Sequence, residues 1–127
     1  MSARILDGKE IAATVRDELR ARMRALRDRS VTPTLQVLLA GEHPQSAVYV
    51  RNKERAASEL GMRVKVHRVV PKGSVADHEL LLAAWNEDPG VHGIIIQHPL
   101  PDPAMGAALR SRVSPVKDVD ALHPENV

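Results

Sequence analysis

The sequence predicts an α/β fold: three-layer βαβ units with a mainly parallel sheet and a long N-terminal amphipathic helix. Three short apolar segments typical of strands alternate with longer segments of helical periodicity. Parallel strands need crossover connections of about a dozen residues or more, and the intervals between these segments are long enough. Apolar residues recur every three or four positions from Lys9 to about Arg29, which predicts the N-terminal helix.

The first strand and the helix after it have clear boundaries in the sequence. A mostly apolar run at residues 34–40 ends at Gly41, which indicates a strand buried on both faces. Pro44 is well placed in the first turn of a following helix, and Gly61 is well placed to end it. A second strand is predicted from Met62 to about Val70, and its partial alternation of apolar and polar residues places it nearer an edge.

The next connection is predicted to be a turn followed by a helix. Pro71, Lys72 and Gly73 indicate the turn, and Ser74 is the expected N-cap of a helix that continues through Trp85. The Asp-Pro-Gly sequence at 88–90 ends that helix.

The third strand is the β-branched run at 91–97, and two prolines directly after it forbid both helix and sheet pairing. A short helix is predicted from Asp102 to about Arg112, followed by a loop at 114–127. Ligands of parallel α/β sheets bind beyond the carboxyl ends of the strands, so we expect the functional site at the carboxyl end of this sheet.

Composition excludes several classes of function. At 127 residues and 13.9 kDa, the chain is expected to form one domain over residues 1–127. The absence of cysteine excludes disulfides, thiolate metal sites and a cysteine nucleophile. Tyr49 and Trp85 are the only aromatic residues, too few for a surface on which nucleic-acid bases stack.

The charge pattern also argues against a nucleic-acid partner. The formal net charge is only +2, and the arginines of the first helix are interleaved with acidic residues, which is typical of a solvated helix face.

The sequence has neither a signal peptide nor a run of about 20 apolar residues, so we expect a cytoplasmic protein that makes no contact with a membrane. The six histidines lack the spacing of metal ligands, and no metal site is expected.

Two pairs of polar residues are candidates for a functional site, and the first of them lies near the predicted carboxyl end of the sheet. Tyr49 and Lys53 are four positions apart and so share a helix face. The pair is either a surface lysine that packs against a tyrosine ring or part of a site. A short-chain dehydrogenase also uses Tyr-x-x-x-Lys, but the glycine-rich phosphate turn of those enzymes is missing. Asp118 and Asp120 point the same way if their segment is extended, although a simple acidic loop is the commoner explanation.

Gln97 ends an apolar strand, where an amide needs specific hydrogen-bond partners. Those partners are either water and backbone groups or a functional site.

Taken together, three segments carry a resemblance to a known family. Residues 39–53, 93–101 and 115–124 resemble the folate-site motifs of bifunctional methylenetetrahydrofolate dehydrogenase/methenyltetrahydrofolate cyclohydrolase, in the same order and with similar spacing. The opening residues 5–9 also fit, so the resemblance covers essentially the whole chain. It implies a role in one-carbon folate metabolism, with oxidation of 5,10-methylenetetrahydrofolate by NADP and hydrolysis of the methenyl product to 10-formyltetrahydrofolate, a step that serves purine biosynthesis.

The resemblance assigns catalytic roles to Tyr49, Lys53, Gln97 and Asp120. Lys53 is the implied residue that activates water, Gln97 holds the amine, Tyr49 offers a flat ring, and Asp120 accepts hydrogen bonds from a pterin. The implied substrate-binding residues are Tyr49, Val50, Arg51, Asn52, Lys53, Ile96, Gln97, His98, Pro99 and Asp120.

Two positions depart from the family pattern. His98 stands where a small or apolar residue is expected, and it brings a group that titrates near neutral pH to the folate pocket. Ala121 replaces the usual glycine and would be strained if that position has a positive φ.

The resemblance further implies that a Rossmann domain follows, binds NADP and mediates a homodimer. That domain is absent from this chain, so we expect a folate-binding fragment that is not a dehydrogenase by itself. The sequence at 124–127 is typical of entry into a further segment. The alternative is a non-catalytic domain of the same fold that binds a small molecule or a protein partner.

Overall fold

The computed structural model describes residues 1–41, 43–69, 75–100 and 102–127. Its helices and strands follow one another as α1 (Gly8–Asp28), β1 (Thr34–Ala40), α2 (Pro44–Leu60), β2 (Arg63–Val69), α3 (Val75–Glu87), β3 (Gly93–Gln97) and α4 (Pro103–Arg110), with a 3-10 turn at Pro124–Asn126. The predicted turn at 71–73 and the predicted N-cap Ser74 lie outside the described residues. Every described element except the last turn was predicted, with boundaries within about two residues.

The three strands form a parallel sheet in the order β2-β1-β3. β1 is central, which explains its nearly continuous burial, and β2 lies at an edge with alternating exposed residues, as predicted. Leu39 of β1 is paired with Gln97 of β3, so the carboxyl ends of these two strands lie side by side.

Helices cover both faces of the sheet and make three layers. On one face, Leu38 and Ile96 pack with Leu82 and Trp85 of α3 and with Leu109 of α4. On the other face, a smaller cluster joins β1 and β3 to α2, and its buried members are Val37, Leu39, Val50 and Ile95. The fold class predicted from the sequence is therefore confirmed.

The amphipathic helix α1 packs less completely than its sequence pattern predicts. Met23 is its one buried residue, and Leu19 and Leu26 are partly buried. Ile11 and Val15, on the same apolar stripe, are 53% and 47% exposed. The buried and half-buried residues of α1 thus lie in its C-terminal half.

Local hydrogen bonds explain where other elements begin and end. The Asp7 carboxylate accepts from the Lys9 N–H at 2.9 Å and caps α1. Gly61 has φ of 80° at the end of α2, the left-handed conformation that favours glycine.

None of the described helices combines the length and the apolar character needed to span a lipid bilayer.

Candidate active site

The carboxyl end of β3 brings two of the predicted residues into direct contact. Lys53 Nζ, on α2, donates to Gln97 Oε1 at 2.8 Å. Gln97 is the last residue of β3 and is buried, whereas Lys53 is half-buried. The burial of an amide at a strand end therefore has a specific reason: its oxygen holds the lysine.

A second contact fixes which way the Gln97 amide points. Gln97 Nε2 donates to the backbone carbonyl of His98 at 3.1 Å, and the Ser46 hydroxyl, on the first turn of α2, donates to the same carbonyl at 3.5 Å. Turning the amide over would set Nε2 against the lysine nitrogen, donor against donor. The two contacts together therefore present Oε1 to Lys53.

Tyr49 lies one helical turn before Lys53 and is 58% exposed. An exposed ring beside a held lysine leaves an aromatic surface free for a flat ligand. Arg51 and Asn52 are exposed on the same helix. Val50 and Ile96 differ from the other predicted binding residues, because their side chains are buried on the two faces of the sheet and pack in the core.

The loop that carries Asp120 is attached to β3 by its backbone. Ile94 N–H donates to the Lys117 carbonyl at 2.8 Å, and Ile94 and Asp118 form a parallel bridge. The Lys117 ammonium in turn donates to the carbonyl of Trp85 at 2.8 Å and that of Asp88 at 2.7 Å. Because the loop runs parallel to β3, the chain from Asp118 to Asp120 runs toward the strand's carboxyl end.

Asp118 organises the turn after this bridge. Its carboxylate accepts from the N–H groups of Asp120, Leu122 and His123, and from the side chain of Asn126 at 3.0 Å. Partial burial alone would raise the pKa of Asp118, but these hydrogen bonds outweigh it and lower the pKa. The two aspartates thus have different environments: Asp118 is bonded inward, and Asp120 is exposed.

Ala121 confirms the expectation drawn from its sequence position. Its φ is 53°, in the left-handed region where a Cβ is unfavourable. The residue directly after Asp120 therefore holds a conformation that glycine would adopt at lower cost.

His98 adds an imidazole beside Gln97. Its ring packs against Gly106 of α4, and its buried Nε2 has no hydrogen-bond partner among the described residues. Burial, and then the nearby charge of Arg110, lower the pKa of His98, while the Asp120 carboxylate acts in the opposite direction. Pro99 follows through a cis peptide bond and is exposed.

The structure thus joins Lys53 to Gln97 directly, places Tyr49 on the same helix face, and brings Asp120 close enough to act electrostatically on His98. Sequence reasoning missed Ser46 and the inward role of Asp118. The sequence held no signal that would have singled out Ser46, because its burial is a property of the folded chain. In the described part of the chain, no group of three or more histidine or acidic residues is arranged to hold a metal ion.

Comparison with known proteins identifies the family of this chain. Residues 6–120 match the family described as "Tetrahydrofolate dehydrogenase/cyclohydrolase, catalytic domain". The chain belongs to this family. It is 49% identical over 127 residues to the "Bifunctional protein FolD" of Azoarcus sp. and 43% identical over 129 residues to the protein of that name from Bacillus subtilis, and each alignment covers 100% of this chain.

Solved structures of family members have the same fold. The chain superposes with a TM-score of 0.92 on the bifunctional FolD enzyme of Campylobacter jejuni, at 31% identity, covering 98% of this chain and 44% of the other. The Trypanosoma brucei FolD, solved with NADP and an inhibitor, gives a TM-score of 0.88 at 30% identity, covering 98% and 43%. The chain spans about half the length of the curated relatives it matches, 44% for Azoarcus and 45% for B. subtilis.

Proposed function

We propose that this chain is the folate-binding catalytic domain of an enzyme that oxidises 5,10-methylenetetrahydrofolate with NADP and hydrolyses the resulting methenyl compound to 10-formyltetrahydrofolate. The observation that carries the proposal is the contact between Lys53 and Gln97 at the carboxyl end of the sheet, in a chain that belongs to the dehydrogenase/cyclohydrolase family. Tyr49, Gln97 and Asp120 act with Lys53 in this site.

Hydrolysis requires a base for the attacking water. The methenyl substrate is a cation, and the neutral amine of Lys53 is favoured over the ammonium when that cation binds nearby and water is displaced. Lys53 Nζ takes a proton as the water oxygen bonds to the methenyl carbon. The bond from that carbon to N5 then breaks, the hydroxyl proton of the adduct passes to N5, and the formyl group stays on N10. One proton is released overall.

The remaining residues bind and orient the substrate. The Tyr49 ring packs against the planar part of the folate, and Asp120 accepts hydrogen bonds from the N–H groups of the pterin edge. Arg51, Asn52, His98 and Pro99 lie around this position, with Val50 and Ile96 supporting it from the core.

NADP does not fit the residues present in this chain. The turn between β1 and α2 has one glycine, Gly41, where a dinucleotide-binding turn needs about three for close approach to a pyrophosphate. We therefore derive no hydride-transfer step from this chain and propose that NADP is held by the additional length found in the relatives. We also propose a cytoplasmic enzyme that forms a homodimer through that additional length.

Replacement of Lys53 tests the catalytic role. In the full-length protein, Lys53→Met is expected to lower the kcat of methenyl hydrolysis by about 10²–10⁴-fold, the usual range for loss of a general base. The matched control is Lys65→Met, which removes an exposed lysine from the edge strand and should leave hydrolysis unchanged. Hydrolysis is followed by loss of the methenyl absorbance, and an unaltered rate and pH profile in Lys53→Met would refute the assignment.

Replacement of Gln97 tests whether it holds the lysine. Gln97→Ala should slow both reactions, and an unaffected rate would limit Gln97 to a structural role. A folate titration of the same variants distinguishes catalysis from binding. If the wild-type protein binds folate without turnover, the chain is a non-catalytic binding domain and the proposed function is wrong.

A further inference from the structure

The loop that carries Asp120 is held in place by hydrogen bonds and very little by packing. Among the described residues 114–122, no side chain is buried, and Val116 and Val119 are 87% and 58% exposed. Val113, the residue before this loop, packs in the core. The position of Asp120 therefore depends on the polar contacts that the loop makes.

The Lys117 ammonium caps the C-terminal end of α3. It donates to the carbonyl of Trp85 at 2.8 Å and to that of Asp88 at 2.7 Å. Carbonyls at the end of a helix lack partners within the helix and form the negative end of its dipole, so a cation is favoured there. The described helix α3 has no basic residue of its own in its last turn. Lys117, which is half-buried, therefore supplies that charge from a distant part of the chain.

Asn86 fixes the same loop on the side before Lys117. Its Nδ2 donates to the Arg112 carbonyl at 2.7 Å, and its Oδ1 accepts from the Ser114 N–H at 2.9 Å. The Ser114 carbonyl accepts in turn from the N–H groups of Lys117 and Asp118, at 2.9 Å and 3.0 Å. The start of the loop is thus attached to the end of α3 by two side chains, one from each partner.

Lys117 also connects α3 to the strand that ends at Gln97. Its carbonyl accepts from the Ile94 N–H at 2.8 Å, and Ile94 lies three residues before Gln97 in β3. Asp120 follows Lys117 by three residues. A single residue therefore fixes the loop against both α3 and β3, close to the point where the loop presents Asp120.

We propose that Lys117 is a positioning residue: by capping α3, it holds the loop so that the Asp120 carboxylate meets the pterin edge of the substrate. Asn86 acts with it at the same helix end. This inference rests on the proposed function, in which Asp120 accepts hydrogen bonds from the pterin. Because Lys53 is held by Gln97 and makes no contact with this helix end, Lys117 acts on KM and leaves kcat nearly unchanged.

The test measures whether the effect of Lys117 passes through Asp120. In methenyl hydrolysis by the full-length protein, Asp120→Ala is expected to raise KM about tenfold or more, because it removes a charged acceptor. Lys117→Met loses the ammonium and should raise KM about fivefold, with kcat within about twofold of wild type. In the Asp120→Ala background the same change should raise KM by less than about twofold, since no carboxylate remains to be positioned.

This non-additivity is a result that a general loss of stability does not produce. Met23→Ala is the control, because it truncates a buried side chain of α1 and should lower Tm while leaving KM unchanged. Tm is measured for every variant, and titration with tetrahydrofolate gives Kd independently of turnover. If Lys117→Met does not fold, Asn86→Ala takes its place in the same comparison.

Two results would each overturn the inference and leave the proposed function intact. One is an unchanged KM and Kd in the folded Lys117 or Asn86 variant when Asp120→Ala raises both. The other is an equal rise in KM with and without Asp120. If Asp120→Ala itself leaves KM and Kd unchanged, the binding role of Asp120 in the proposed function is wrong, and the inference fails with it.

Discussion

Replacing Ala121 by glycine is expected to stabilise the protein. Its φ of 53° places the Cβ in the left-handed region, at a cost of about 1–2 kcal/mol for an L-residue. Glycine removes that cost but adds freedom to the unfolded chain, which offsets about 0.4–1 kcal/mol. The net gain in the free energy of unfolding is about 0.5–1 kcal/mol. For 127 residues, with an unfolding entropy of about 2.1 cal/mol/K per residue, Tm should rise by about 2–4 °C.

Thermal and urea unfolding, followed by far-ultraviolet circular dichroism, measure this change. Ala84→Gly is the matched control, because Ala84 is exposed within α3, and glycine in a helix interior costs about 1 kcal/mol relative to alanine. The two substitutions are chemically identical and should have opposite signs. A neutral or lowered Tm for Ala121→Gly would show that the conformation of the Asp120 loop carries no strain.

Three further predictions follow from contacts around the same loop. Lowering the pH from 7 to 5 should reduce the free energy of unfolding, because the lowered pKa of His98 means that the unfolded chain takes up a proton first. His98→Leu should flatten this dependence in urea titrations, and an identical slope in the variant would contradict it. Asp118→Ala should cost about 2 kcal/mol of stability, since it removes a charged acceptor of four hydrogen bonds, and should weaken hydrolysis by releasing Asp120. A normal Tm would argue against that role. Gly93→Ala would place a Cβ 3.0 Å from Val119 and is expected to lower stability by about 1–3 kcal/mol in calorimetry, whereas an unchanged Tm would mean that the loop shifts freely.

Local signals were sufficient to predict the described strands and α-helices, though not the final 3-10 turn. The apolar run at 34–40, the proline at 44 and the glycine at 61 each constrain the backbone directly, and the strand and helix form where these residues predict. The contact between Lys53 and Gln97 was expected from the resemblance, whereas spacing and position alone left both a structural and a functional role open for each residue.

The interior contacts of the loop at 114–127 were beyond local reasoning. Asp118 and Asp120 are the same residue type two positions apart, and only the hydrogen bonds made within the folded loop distinguish the bonded Asp118 from the exposed Asp120. The exposure of Ile11 and Val15 in α1 was likewise beyond local reasoning, because an amphipathic pattern shows that a helix has an apolar face but does not show which part of the chain covers it.

The hydrogen bond between Lys53 and Gln97 joins residues 44 positions apart. The loop that carries Asp120 follows later in the chain and is attached to β3, the strand that ends at Gln97. Such a site has no local precursor in the unfolded chain, because it forms only when the strands align. Under the proposed function, folate would bind the native state alone and stabilise it by mass action, to an extent set by the ratio of its concentration to Kd. At a ligand concentration 100 times the Kd, that gain is about 2.7 kcal/mol. The proposed ligand would therefore affect both the rate of this domain and the fraction of its molecules that are folded.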